Sequence, residues 1–284
     1  MPFMPFYRFE TLESNFLTPH LSSGKAPVIE GNYMYFCLIH KIAGTGSELH
    51  YHPNELLVFQ VNGKANTIVG KDRRIISPGT FVHVPAYARH SIKATEDGNC
   101  QYLYIKDKTW TVVGLAENEA VPEKAMTVDE VNQKYKAGEL NERKAEADKS
   151  RIVVEGLHTC FYPILETIDA PRFSARRESW VVGGRLAFGF FEVPNTGHEP
   201  LFTGDHETFI YVLTGKLHCQ VGSQSAPITA GDIAYAPRGT ACRLRVQSEF
   251  ARYVAVCSTP FLENRIDNMT PEEQMQARIH LKAH

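Results

Sequence analysis

The feature that most narrows what this chain can become is an internal repeat. Gly31, Gly63, Gly79 and Pro85 recur as Gly183, Gly215, Gly231 and Pro237, each pair separated by the same 152 residues. A constant spacing across four turn-forming residues implies that one β domain has been duplicated within the chain. The segments between these points agree. YMYFCLIHKI, LLVFQVNG, FVHVPA and CQYLYIK in the first half, and RLAFGFFEV, TFIYVLTG, DIAYAPRG and ARYVAVCS in the second, are short apolar or alternating runs. Rich in β-branched and aromatic residues and cut by turn formers, they predict an all-β fold of sandwiches or barrels. A length of 284 residues suits two such domains, each with its own core.

Between the repeats the texture changes to MTVDEVNQKYKAGELNERKAEADKS. Thr127 followed by Glu130 is a capping-box pattern, which predicts a solvated linker helix broken at Gly138. Thr270, Pro271 and Glu273 open a closing helix in the same way. The expected organisation is a first barrel over 1–115, a helical linker over 116–175, a second barrel over 176–262 and a C-terminal helix over 263–284.

The formal net charge is −2, which gives no electrostatic reason to expect nucleic acid or an anionic membrane as partner. No apolar run approaches the ~20 residues that span a bilayer. The opening MPFMPFYRFE lacks the basic and long apolar regions of a signal peptide, so a cytoplasmic protein is expected. Cys37, Cys100, Cys160, Cys219, Cys242 and Cys257 form no C-x-x-C pair and are read as free, small buried residues. Exposed sheet edges make a homodimer the expected assembly.

Chemistry concentrates in GTGSELHYHPNELLVFQVNG. One residue separates His50 from His52, and in a strand that spacing puts both imidazoles on one face. GTFVHVPAYARH then delivers His90 from a neighbouring strand. Three histidines facing into a barrel would bury costly polar atoms without a partner unless they share a metal. Isolated histidines are read instead as hydrogen-bonded structural residues: His20, His40, His83, His158, His218 and His280.

Here the sequence resembles the cupin superfamily. Its first motif, G-x5-H-x-H-x(3,4)-E-x6-G, is met by Gly44, His50, His52 and Gly63; its second, G-x5-P-x-G-x2-H-x3-N, by Gly79, Pro85 and His90. Tyr87 replaces the inner glycine of the second motif and Ala94 its terminal asparagine. The resemblance implies two tandem jelly-roll barrels with a ligand cavity inside, a bicupin. The family's metal-binding glutamate falls on Leu56, and the acid present, Glu55, is one residue early. In a regular strand that shift turns the side chain to the other face. Either a bulge restores Glu55 as a fourth ligand or the site has three histidines, and the second alternative is preferred.

In the second barrel the repeat carries His50 to Phe202, His52 to Gly204, His90 to Cys242 and Glu55 to Glu207, so no comparable ligand set remains. An improvised site from Asp205, His206 and Glu207, or from Cys242 and His198, is the weaker possibility.

Three imidazoles leave positions open for a bidentate substrate and O2, so a dioxygenase of small aromatic or diketone-like substrates is the first expectation. Its metal would be divalent, with Fe(II) ahead of Mn, Ni, Cu or Zn. Tyr35, Tyr51, Phe59, Tyr102 and Tyr104 are candidate substrate contacts. Arg89 is a candidate carboxylate anchor and Glu48 a candidate base. The alternatives are a metal-dependent isomerase, decarboxylase or lyase, which need no O2, and a non-enzymatic small-molecule-binding bicupin.

Overall fold

 In the computed structural model the described residues are 4–140, 160–169, 175–196 and 200–278. Among these the chain forms two compact units. One comprises 13–30, 34–166 and the residues from Asn264 onward; the other comprises the residues up to Leu12, 31–33 and 167–263.

The first unit is a pair of sheets around one core. An eight-stranded sheet contains the strands Met34–Lys41, Leu56–Asn62, Thr80–Val84 and Cys100–Asp107, and a five-stranded sheet contains His50–Tyr51, Ala65–Val69, Asp72–Ile76, His90–Ala94 and Leu115–Ala116. Alternation along the strands supplies the core. Tyr35, Cys37 and Ile39 from one strand and Leu56 and Val58 from the next meet Ala65, Val69, Ile92 and Ala94 from the facing sheet. The second unit repeats the plan with a six-stranded and a four-stranded sheet. Its core holds Phe191, Val193, Val212, Leu217, Cys219, Cys242, Leu244 and Tyr253.

The repeat is visible element by element. Leu56–Asn62, Thr80–Val84 and His90–Ala94 recur at the 152-residue spacing as Thr208–Thr214, Asp232–Ala236 and Cys242–Val246. Its turn glycines recur in conformation as well: Gly63 and Gly215 have φ of 65° and 88°, and Gly79 and Gly231 have φ of 90° and 88°. Only glycine takes that region at low cost. Tyr87 is the exception among the described residues, a non-glycine with φ of 65° at the place where the repeat has Gly239, φ 90°.

Both capping boxes form. Helix α1 spans Val128–Lys136 behind Thr127, with Gly138 left-handed just beyond it, and the C-terminal helix Pro271–Ala277 follows Thr270. A further helix, Pro260–Asp267, precedes the latter and was not expected from the sequence. The charge-rich stretch over 141–150 lies outside the described residues.

The domain boundaries differ from the contiguous ones expected. The strand Phe6–Arg8 pairs with Asp232–Ala236, so the start of the chain adds an edge strand to the second unit. The residues from Asn264 onward belong to the first. Pairing the free edge of a sheet satisfies backbone groups that would otherwise stay open, which a linear division of the sequence does not reveal. No helix among the described residues is long and apolar enough to cross a membrane.

Candidate metal centre

His50 and His90 are direct partners across an antiparallel strand pair. His52 follows one residue after the short strand His50–Tyr51, just before Pro53. The rings of His50 and His90 are 4.3 Å apart, those of His52 and His90 4.7 Å, and those of His50 and His52 6.1 Å. One ligand atom from each of the three lies within 4.8 Å of the others. No other cluster of this kind occurs among the described residues.

Backbone carbonyls orient each ring. Nδ1 of His50 is 2.7 Å from the Glu48 carbonyl, Nδ1 of His52 3.1 Å from that of Asn54, and Nδ1 of His90 2.9 Å from that of Ala88. A carbonyl only accepts, so each Nδ1 carries the proton and each Nε2 presents a lone pair. Nε2 of His52 and of His90 is buried with no hydrogen-bond partner. Such orphaned acceptors are costly unless something occupies the point they share, and a divalent cation fits that donor set.

Burial lowers the basicity of all three imidazoles. His50 and His52 fall well below the usual histidine range, and His90 is lowered to about 4. They are therefore neutral near pH 7, the state a metal requires. Gly114 makes the space for His50: a Cβ there would lie 2.6 Å from Cδ2 of the ring.

A cavity of about 50 Å³ opens beside the histidines. His50, His90, Lys41, Ser22, Ser47, Thr18, Tyr102 and Tyr104 give it polar walls, and Leu17, Ile39, Ile92 and Val112 give it apolar ones. No carboxylate lines it among the described residues. Tyr102 and Tyr104 alternate with Lys106 on the inner face of their strand. Nζ of Lys106 donates to the Val112 carbonyl at 3.1 Å, and burial lowers its ammonium to about 7.

The remaining sequence candidates lie elsewhere. Glu55 is not among the converging groups: its carboxylate meets Nε2 of His83 at 2.7 Å, and its N–H donates to Asp107 Oδ2 at 2.5 Å. The neighbouring Leu56 and Val58 face the core, so Glu55 takes the opposite face. Arg89, expected as an anchor, stacks over Tyr51 at 5.0 Å and donates to the Glu117 carbonyl at 3.0 Å. Tyr51 donates its hydroxyl to the Glu119 carbonyl. Glu48, expected as a base, orients His50 through its backbone. Tyr35 is fully buried in the core, and Phe59 sits on the strand face turned away from Val58. Of the aromatic candidates, Tyr102 and Tyr104 reach the cavity. The two lysines were missed. Their signal was parity, since Lys41 and Lys106 continue the inward-facing positions of YMYFCLIHK and CQYLYIKD.

Of the histidines expected to be structural, His83 pairs with Glu55, His20 is buried, His40 is exposed and His218 is half-buried. His158, His198 and His280 lie outside the described residues. In the second barrel Glu207 is engaged by the N–H groups of Asn32 and Tyr33 and by the Tyr235 hydroxyl. His206 meets Glu263, and Cys242 lies 3.6 Å from Cys219. Asp205, His206 and Glu207, the weaker possibility there, do not converge as a metal site among the described residues, and the Cys242–His198 alternative falls on His198, outside them.

Two jelly-roll barrels, one of them carrying a converging histidine triad, define a two-domain barrel protein of the metal-site type. The cupin-domain profile matches residues 39–106 and 189–257, one match in each barrel, and the chain is a bicupin of the cupin superfamily. Among solved structures it is similar to oxalate decarboxylase. A structure describing that enzyme's substrate binding mode and reaction specificity switch superposes with a TM-score of 0.62 at 15% identity, covering 89% of this chain and 77% of the other. One addressing the Mn(II) centres of the Bacillus subtilis enzyme gives 0.63 at 15% identity with the same coverage. The Bacillus subtilis enzyme at pH 4.6 gives 0.60 at 16%, covering 89% and 76%. A search of curated proteins returns no significant match.

Proposed function

We propose that this bicupin is a metal-dependent lyase that decarboxylates a small carboxylate in its N-terminal barrel. The observation that carries the reading is the cavity, which is small and lined by histidines, hydroxyls, a lysine and apolar side chains without a carboxylate. A volume of about 50 Å³ holds a few waters at roughly 10–15 Å³ each, which suits a compact acid better than a substituted aromatic ring. The likeness to oxalate decarboxylase supports the same reading and puts oxalate among the candidate substrates. The dioxygenase first expected from the sequence thus becomes the second reading. It keeps one observation in its favour, the absence of Glu55 from the histidine cluster, because a three-histidine set leaves more positions open.

His50, His52 and His90 would hold the metal through Nε2. When bound, a divalent ion in a neutral donor set keeps its charge for the substrate's carboxylate and polarises it as a Lewis acid. Lys106 adds positive charge to the same interior in its protonated form, which burial confines to pH values up to about 7. Leu17, Ile39, Ile92 and Val112 give the cavity an apolar side, which lowers the local polarity and strengthens charge interactions beside it. Loss of CO2 leaves an electron pair on carbon that takes up one proton. Burial raises the phenols of Tyr102 and Tyr104, which keeps their hydroxyls protonated on the cavity wall as candidate donors.

The test is elemental analysis of protein purified without added metal, followed by CO2 release from oxalate and other small carboxylates and O2 uptake with catechols and diketones. Bound metal with CO2 release supports the lyase. O2 uptake on the second panel establishes the oxygenase instead, and a metal-free protein inert on both panels overturns both.

A further inference from the structure

Lys41 is the last residue of the strand Met34–Lys41, on the face that also carries Tyr35, Cys37 and Ile39 into the core. It is 3% exposed, and its side chain forms part of the wall of the cavity that His50 and His90 also line. Its Nζ donates to Ser22 Oγ at 3.0 Å. Gly24 borders the same recess: a Cβ on it would lie 3.2 Å from Ser22 Oγ and 3.3 Å from Lys41 Nζ. The recess therefore combines an ammonium, a hydroxyl and the space left by a missing side chain.

The second barrel provides an internal comparison. At the repeat spacing, Lys41 corresponds to Val193, which is fully buried in the apolar core of a barrel that has lost the histidines. The same fold position thus accepts valine. Burying an ammonium carries a desolvation cost that an apolar residue does not incur. The lysine therefore gives the cavity of the histidine-bearing barrel a cationic group that the second barrel lacks at the same fold position.

We propose that Lys41, with Ser22 and Gly24, is the specificity-determining recess of the cavity. It binds a second anionic group of the substrate while the first faces His50 and His90, so the preferred ligand is a compact molecule with two carboxylate-like ends. This rests on the proposed carboxylate function and adds to it the residues that select among carboxylates. A charge-assisted contact in this recess discriminates against a ligand lacking the second group.

The test uses metal-loaded full-length protein and calorimetric titration with oxalate and malonate as two-carboxylate probes and formate and acetate as one-carboxylate probes. Lys41→Val, the second barrel's own residue, is expected to keep the wild-type metal content and formate affinity. It is expected to lose about tenfold or more in affinity for oxalate or malonate, equivalent to about 1.4 kcal/mol. Gly24→Ala, which narrows the recess and leaves the charge in place, is expected to shift the same ratio in the same direction. A Lys41→Val protein that retains the two-carboxylate preference overturns the role of Lys41 and leaves the carboxylate reading intact. Wild-type protein that holds metal and binds none of the four probes overturns both.

Discussion

His50 and His90 stand directly opposite one another in an antiparallel pair, although they come from different motifs. That register fixes two of the three candidate ligands by backbone hydrogen bonding before any metal arrives. His52 completes the set from just beyond the strand end, with its ring turned by the Asn54 carbonyl. The consequence is a preformed site whose parts can be tested separately.

Glu55 and His52 separate ligand from neighbour. His52→Ala is expected to abolish stoichiometric metal, since two imidazoles remain. Glu55→Gln is expected to leave metal content unchanged, because its carboxylate points to His83. Elemental analysis of both variants checks this, and loss of metal from Glu55→Gln would restore the acid as a ligand.

Gly114 supports the site without touching metal. In Gly114→Ala the new methyl would meet Cδ2 of His50 at 2.6 Å, so the ring must move. Displacing the orientation of a ligand costs on the order of 10–100-fold in metal affinity. A chelator-competition titration reads this, with circular dichroism to confirm an unchanged fold.

Lys106 gives a pH signature. Its folded value is lowered to about 7 from an ordinary 10.5. The unfolded chain therefore binds more protons between those values, and stability rises with pH from about 7 toward 10.5. In metal-free protein Lys106→Met is expected to be more stable than wild type by a few kcal/mol at pH 7, with the gap closing as pH rises. Denaturant unfolding at pH 7 and pH 10 measures it, and a gap independent of pH would refute the assignment.

Tyr87 holds a left-handed conformation that costs a non-glycine residue about 1–2 kcal/mol, and its side chain is 49% exposed. Tyr87→Gly is expected to raise stability by about 1 kcal/mol, detectable as an increased Tm. An unchanged or lowered Tm would mean that the ring's contacts offset the strain.

The sequence by itself determined the duplication, the β character of both halves, the two capped helices and the histidines at 50, 52 and 90. Each of these is written in local pattern: turn residues at fixed spacing, alternation with period two, and capping pairs three residues apart. Parity along the strand also bore on Glu55, because a one-residue offset changes faces. Tertiary structure decided what local pattern cannot encode. The pairing of Phe6–Arg8 with Asp232–Ala236 depends on which sheet edge lies open, and Arg89 on Tyr51 depends on packing across strands. The cavity that gathers Lys41, Tyr102 and Tyr104 around His50 and His90 exists only once strands distant in the chain close around one interior, because charge and volume at a point are properties of neighbours in space.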